Sequence, residues 1–227
     1  MRVTILTKWV IKLLIKEFCA ENFTCVPQAI GLGAKRIELC DNLAVGGTTP
    51  STGVLEETIQ YAHEKNVSVM TMIRPRGGDF VYNDSELRIM ETDLIEAKKL
   101  ETDGVVFGCL TVNQKLDKEA LTYLIQLSEG LQITFHMAFD QLKENDQLEA
   151  IDWLAEQGVS RILTHGGGVD SKIEENYPHL QQLIQYADNR LIILPGAGIT
   201  FKNATKIATR LSINEVHGTK IIDLSQA

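Results

Sequence analysis

The sequence predicts an α/β protein of the (β/α)8, TIM-barrel-like class, folded as a single domain. Short β-branched or apolar runs recur eight times, and their starts lie roughly 20 to 35 residues apart, which leaves room for a helix in each interval. No Pro-, Gly- or Ser-rich linker divides the 227 residues. An open doubly wound sheet is the alternative, because periodicity alone does not prove closure.

In order, the strands are expected at LIKEFC (14–19), RIELC (36–40), SVMTMIR (68–74), GVVFG (104–108), QITFHMAFD (132–140), RILTHG (161–166), LIILPG (191–196) and EVHG (215–218). The clearest helix lies between Asn83 and Thr102, where Ser85 is a candidate cap and Leu87, Met90, Leu94 and Ala97 recur on one face. Similar stripes follow Thr52 (Leu55, Ile59, Ala62), Lys118 (Leu121, Leu124, Ile125) and Gln147 (Ile151, Leu154, Ala155). Residues 1–13 are expected as an N-terminal extension and 14–227 as the barrel domain. The opening stretch MRVTILTKWVIKLLI resembles a short signal sequence, but Lys8 and Lys12 interrupt it, no small-residue cleavage pattern follows, and it is too short to span a bilayer. No membrane partner is expected.

Composition narrows the function classes. Thirty acidic against 22 basic residues give a net charge of −8, which repels polyphosphate, and no basic stripe offsets it, so nucleic acid is not an expected partner. Mean hydropathy is near zero. The four cysteines, Cys19, Cys25, Cys40 and Cys109, form no CxxC pair and no dense disulfide framework; reduced thiols in a cytoplasm are the expectation.

A barrel gathers function at the C-terminal ends of its strands. There the sequence puts Glu17 and Cys19, Glu38 and Cys40, Arg74 and Arg76, Cys109, His136 and Asp140, His165, the 195–198 turn, then His217 and Lys220. Alternation sends Phe18, Ile37 and Leu39 outward under helices and Glu17, Cys19, Glu38 and Cys40 inward. In QITFHMAFD it sends Ile133, Phe135, Met137 and Phe139 outward, and Thr134, His136, Ala138 and Asp140 inward. Adjacent strands then set Glu17 beside Glu38 and Cys19 beside Cys40. Two thiolates at that spacing suit a soft ion such as Cu(I), and Met72 offers a thioether beside them. The same positions also suit purely structural roles, each cysteine as a small buried hydrophobe and the glutamates in an interior ion-pair network with Arg74.

Two further stretches bear on small anions. LPGAGIT (194–200) sets Gly196 and Gly198 before a helix for which Thr200 is a candidate cap, with His217 and Lys220 near; tight turning alone also explains the glycines. MIRPRGGDFVYND (72–84) puts Arg74 and Arg76 in a Gly-rich loop suited to clamping a carboxylate or phosphate, or to incidental salt bridges. There is no Ser/His/Asp order, P-loop or HExxH.

Taken together, RIELCDNLAVGGTTPSTG, MIRPRGGDFVYND, DGVVFGCLT, TFHMAFD and RILTHGG resemble the CutC family of copper homeostasis proteins, from about Leu14 to Lys220. The resemblance implies a TIM-barrel-like fold, a cytoplasmic location, homodimers, and a copper role with Cys19 and Cys40 as ligands. EFCAEN stands where the family more often has EVCVDS, keeping the acid and the thiol. Two functional expectations follow. One is a cytosolic Cu(I)-binding homeostasis protein using Cys19 and Cys40. The other is a barrel enzyme using Glu17, Glu38, His136, Asp140 and His165 on a small phosphorylated or carboxylate substrate, held by Arg74, Arg76, Gly196, Gly198, His217 and Lys220.

Overall fold

The computed structural model describes residues 13–168 and 170–226. The expected N-terminal extension thus falls, but for Leu13, outside the described residues. Eight parallel strands alternate with helices: β1 (Ile15–Glu21), β2 (Arg36–Cys40), β3 (Ser68–Met72), β4 (Gly104–Phe107), β5 (Gln132–Phe135), β6 (Arg161–Thr164), β7 (Ile192–Pro195) and β8 (Glu215–Gly218). Their ladder runs β7-β6-β5-β4-β3-β2-β1-β8. β7 and β8 pack side by side, and just beyond their ends Phe201 N donates to Lys220 O at 2.8 Å. The sheet thereby becomes a nearly closed (β/α)8 barrel.

The helices are α1 (Val26–Gly31), α2 (Thr52–Glu64), α3 (Asp84–Lys99), α4 (Lys118–Leu127), α5 (Glu144–Glu156), α6 (Tyr177–Ala187) and α7 (Ala204–Leu211). Among the described residues β8 is followed only by a 3-10 turn at Leu224–Gln226, so the eighth unit lacks a full helix. The predicted apolar stripes are the buried ones: Leu55, Ile59 and Ala62 on α2, and Met90, Leu94 and Ala97 on α3. They pack against the outward strand residues Phe18, Ile37, Leu39, Ile133 and Phe135 in one continuous core.

Two predicted caps are corrected. α3 is capped by Asn83, whose Oδ1 accepts from Ser85 N and Glu86 N while Glu86 accepts from Asn83 N, a reciprocal capping box; Ser85 lies inside the helix. α7 begins at Ala204, four residues after Thr200, whose N–H is held instead by Asn203 Oδ1 at 2.7 Å.

The fifth strand is shorter than predicted. It ends at Phe135, and His136 Nδ1 accepts the Ala138 N–H at 3.2 Å, turning the chain into a 3-10 helix over Met137–Gln141. Alternation therefore fails beyond His136: Ala138 joins the outer core with Phe139, and Met137 reaches the barrel mouth.

Candidate functional site

The barrel interior is built in two tiers. The lower tier is ionic. Arg36 Nε donates to Glu17, Arg36 Nη2 to Glu215 Oε2 at 2.7 Å, and Arg161 Nε to the same Glu215 oxygen at 2.9 Å. All four side chains are almost wholly buried. The interior network expected around the glutamates therefore exists, but Arg36 and Arg161 are its cations rather than Arg74. Arg36, Glu38 and Cys40 alternate on one face of β2, as do Glu215 and His217 on β8, so the alternation that found Glu38 also pointed to Arg36.

The upper tier carries the thiols. Register places Cys19 beside Glu38 and Glu21 beside Cys40, while Glu17 stands beside Arg36. The expected pairing of Glu17 with Glu38 and Cys19 with Cys40 is thus offset by two residues, through the stagger that barrel closure demands. The thiols still meet: a ligand atom from each of Cys19, Glu38 and Cys40 lies within 4.8 Å of the others. They form an inner cluster with Met70, Met72 and Val106, separate from the outer core.

Gly46 and Gly47 let the loop after β2 close over this tier. Both have positive φ, +89° and +87°, and a Cβ would stand 3.1 Å from Arg74 Nη1 at Gly46 and 3.2 Å from Cys40 Sγ at Gly47.

His217 links the tiers. Its Nδ1 lies 2.7 Å from Glu17 Oε1 and its Nε2 3.6 Å from Glu38 Oε2. Burial opposes its charge, yet Glu38, Cys19 and Glu17 raise its pKa well above the ordinary imidazole value. Burial would likewise raise Glu17, but Arg36 and His217 hold it down to about 2. Burial raises Glu38. The contact with Cys40, then burial, holds the Cys19 thiol well above its usual range. The contact with Cys19 lowers Cys40, but burial and Glu38 prevail and push it up to about 11. Both sulfurs are therefore thiols at neutral pH.

Above the thiols opens a cavity of about 260 Å³. Cys19, Glu38, Met72, Arg74, His136 and His217 supply its chemistry; Leu43, Phe80, Met137 and Leu163 supply its apolar walls. Ala197, held at φ 56°, and Gly198, at 73°, form one rim. A larger hollow of about 600 Å³ lies beside the mouth, between Phe80 and Val112, with Asp79 its one titratable group.

Several predicted site residues do not reach the cavity. Asp140 accepts from Thr164 Oγ1 and from His165 N at 2.9 Å, tying the 3-10 turn to the end of β6. His165 is spent on carbonyls, with Nδ1 3.1 Å from Gly196 O and Nε2 3.0 Å from Ser171 O. Arg76 turns away to Glu86 and Asp79. Gly196 N donates to Thr164 O, and Lys220 is exposed, its backbone closing the seam. His136 and Asp140 thus do not share an interior face: the turn after Phe135 separates them.

A profile of the CutC family matches residues 14–222. A CutC family protein of Enterococcus faecalis is 66% identical over 209 residues, covering 92% of this chain and all of that protein. The copper homeostasis protein cutC homolog of Mus musculus is 41% identical over 203 residues, covering 89% of this chain and 72% of that one. The crystal structure of CutC from Streptococcus agalactiae superposes with a TM-score of 0.89 at 49% identity, covering 92% of this chain and all of that one. A deoxyribose phosphate aldolase from Aeropyrum pernix, 10% identical with a TM-score of 0.66, shares the fold alone.

Proposed function

The chain belongs to the CutC family, and on that premise we propose that it is a copper homeostasis protein that takes Cu(I) as cargo between the sulfurs of Cys19 and Cys40. The observation that carries this reading is the approach of both sulfurs and a Glu38 oxygen to within 4.8 Å of one another. Soft thiolates favour Cu(I), and the thioether of Met72 lines the same cavity. In the second clustered trio, Glu17, Glu38 and His217, the imidazole is already engaged, with Nδ1 2.7 Å from Glu17 Oε1 and Nε2 3.6 Å from Glu38 Oε2.

A cytoplasmic location fits the four unpaired thiols, and no described helix is long and apolar enough to cross a membrane. A homodimer belongs to the same reading and is checked by light scattering.

The test is a Cu(I) competition titration against a chromogenic chelator. The unaltered protein is expected to withdraw one Cu(I) per chain, and Cys19→Ser with Cys40→Ser to withdraw none. Equal affinity in the two proteins refutes the assignment.

A further inference from the structure

Copper capture uses two sulfurs, yet the cluster that holds them contains a third donor. Glu38 precedes Cys40 by two residues on the same face of β2, and register sets it beside Cys19 of β1. A Glu38 oxygen and both sulfurs lie within 4.8 Å of one another. Cys40 Sγ stands 3.6 Å from Glu38 Oε2. A tetrahedral zinc ion, with bonds of about 2.3 Å to sulfur and about 2.0 Å to oxygen, sets two such ligands about 3.5 Å apart. The cluster thus already has one sulfur–oxygen edge of a zinc shell.

Charge and donor type point the same way. Two thiolates and a carboxylate bring three negative charges, of which Cu(I) offsets one and Zn(II) two. Cu(I) is served by sulfur alone, whereas Zn(II) accepts thiolate and carboxylate together. The carboxylate is also held in place: Glu38 Oε2 is 3.6 Å from His217 Nε2, and His217 Nδ1 is 2.7 Å from Glu17 Oε1. Ligating carboxylates are commonly fixed by such an outer layer. Cys19 and Glu38 line the cavity of about 260 Å³, which gives an ion its way in, while the wholly buried Cys40 is not part of that wall.

We propose that the cluster is a Zn(II) site as well as a Cu(I) site: Cys19 Sγ, Cys40 Sγ and a Glu38 carboxylate oxygen hold the divalent ion, and its fourth position opens on the cavity. The inference rests on the sulfur pair of the copper reading and adds Glu38, which Cu(I) does not need. Zinc with three protein ligands keeps its fourth position for water or another small ligand. Binding expels the protons of the two thiols.

The experiment titrates the full chain, reduced and metal-free, with Zn(II) against a chromogenic chelator, and examines the loaded protein by zinc K-edge X-ray absorption. One Zn(II) per chain is expected, with two sulfurs at about 2.3 Å and oxygen at about 2.0 Å. Glu38→Gln is expected to weaken Zn(II) binding more than about tenfold and to leave Cu(I) capture in place. Cys19→Ser with Cys40→Ser is expected to lose both ions. Azide added to the Co(II)-loaded protein is expected to shift its visible absorption bands, as an open position requires. The proposal is overturned if the unaltered protein withdraws no Zn(II), if the zinc shell lacks two sulfurs, if Glu38→Gln binds Zn(II) as tightly, or if azide leaves the cobalt bands unmoved. The absorption measurement needs no variant, so it stands even where Glu38→Gln fails to fold. Loss of the zinc result with Cu(I) capture intact refutes the zinc site alone; zinc binding without Cu(I) capture refutes the copper reading alone.

Discussion

Cys19 of β1 stands in register beside Glu38 of β2, two rungs below the level at which Glu21 meets Cys40. The carboxyl thus lies between sulfurs contributed from staggered levels, and Cys40 Sγ donates to Glu38 Oε2 at 3.6 Å. Side chains of neighbouring strands meet here because the closed sheet is sheared, not because the residues are level.

Both sulfurs carry protons at neutral pH, Cys40 with its pKa pushed up to about 11. Seating Cu(I) on two thiolates must therefore expel two protons, and the resulting charge of about −1 is balanced by the cation on His217. The apparent affinity is expected to rise with pH, with a slope approaching about two log units per pH unit between about pH 6 and pH 8. Competition titrations across that window measure it. A slope near one would mean that one sulfur keeps its proton.

Arg36 answers to Glu17 and Glu215 at once. Arg36→Met is expected to cost about 3–5 kcal/mol in urea unfolding, because two buried carboxylates lose their shared cation. The loss should ease as the pH is lowered. Glu17 and Glu215 both have lowered folded pKa values, so their stabilising contribution in the native network is present above the unfolded carboxylate value and fades as pH falls through the folded one. A loss that stays the same as the pH falls from about 5 to about 3 would show that packing, rather than charge, is what Arg36 supplies.

His136 is held neutral down to about pH 3, whereas an unfolded histidine protonates near 6.5. Between those values the unfolded chain binds more protons, so stability falls as pH falls, by up to about 1.4 kcal/mol per unit from this residue. Above 6.5 it contributes no slope. His136→Phe should flatten the stability profile between about pH 6.5 and pH 5 relative to the unaltered protein; parallel profiles would mean that the ring is charged in the fold.

Gly108 has no space for a side chain: a Cβ would stand 2.7 Å from the His136 ring and 3.2 Å from Ala138 Cβ. Gly108→Ala is expected to destabilise the protein by about 1–3 kcal/mol and to move the His136 imidazole resonances. An unchanged imidazole spectrum together with unchanged stability would refute the contact.

The eight-strand plan and the inward set Glu17, Cys19, Glu38 and Cys40 were legible because strand alternation and helix periodicity are local. The two-residue stagger was not, since shear is a property of the whole ring. Alternation places His136 at the mouth but fails for Asp140, because one side-chain-to-backbone bond at Ala138 ends the strand and no periodicity records it. Arg36 and Glu215 are legible by the same alternation: each sits two residues before an inward residue, Glu38 and His217, on the same strand face. The uses of His165 and Arg76 depend on carbonyls and carboxylates brought near by folding, and their residue types alone did not disclose them.

The first strand takes its outer neighbour from the last: β1 is laddered to β8, and Glu17 reaches His217 across 200 positions of chain. On a ribosome, which releases β1 before β8, that edge and its carboxylate wait unmatched until β8 has emerged. The barrel therefore closes only once β8 is available, and until then the β8-facing edge of β1 is an unpaired strand edge of the kind that recruits other strands.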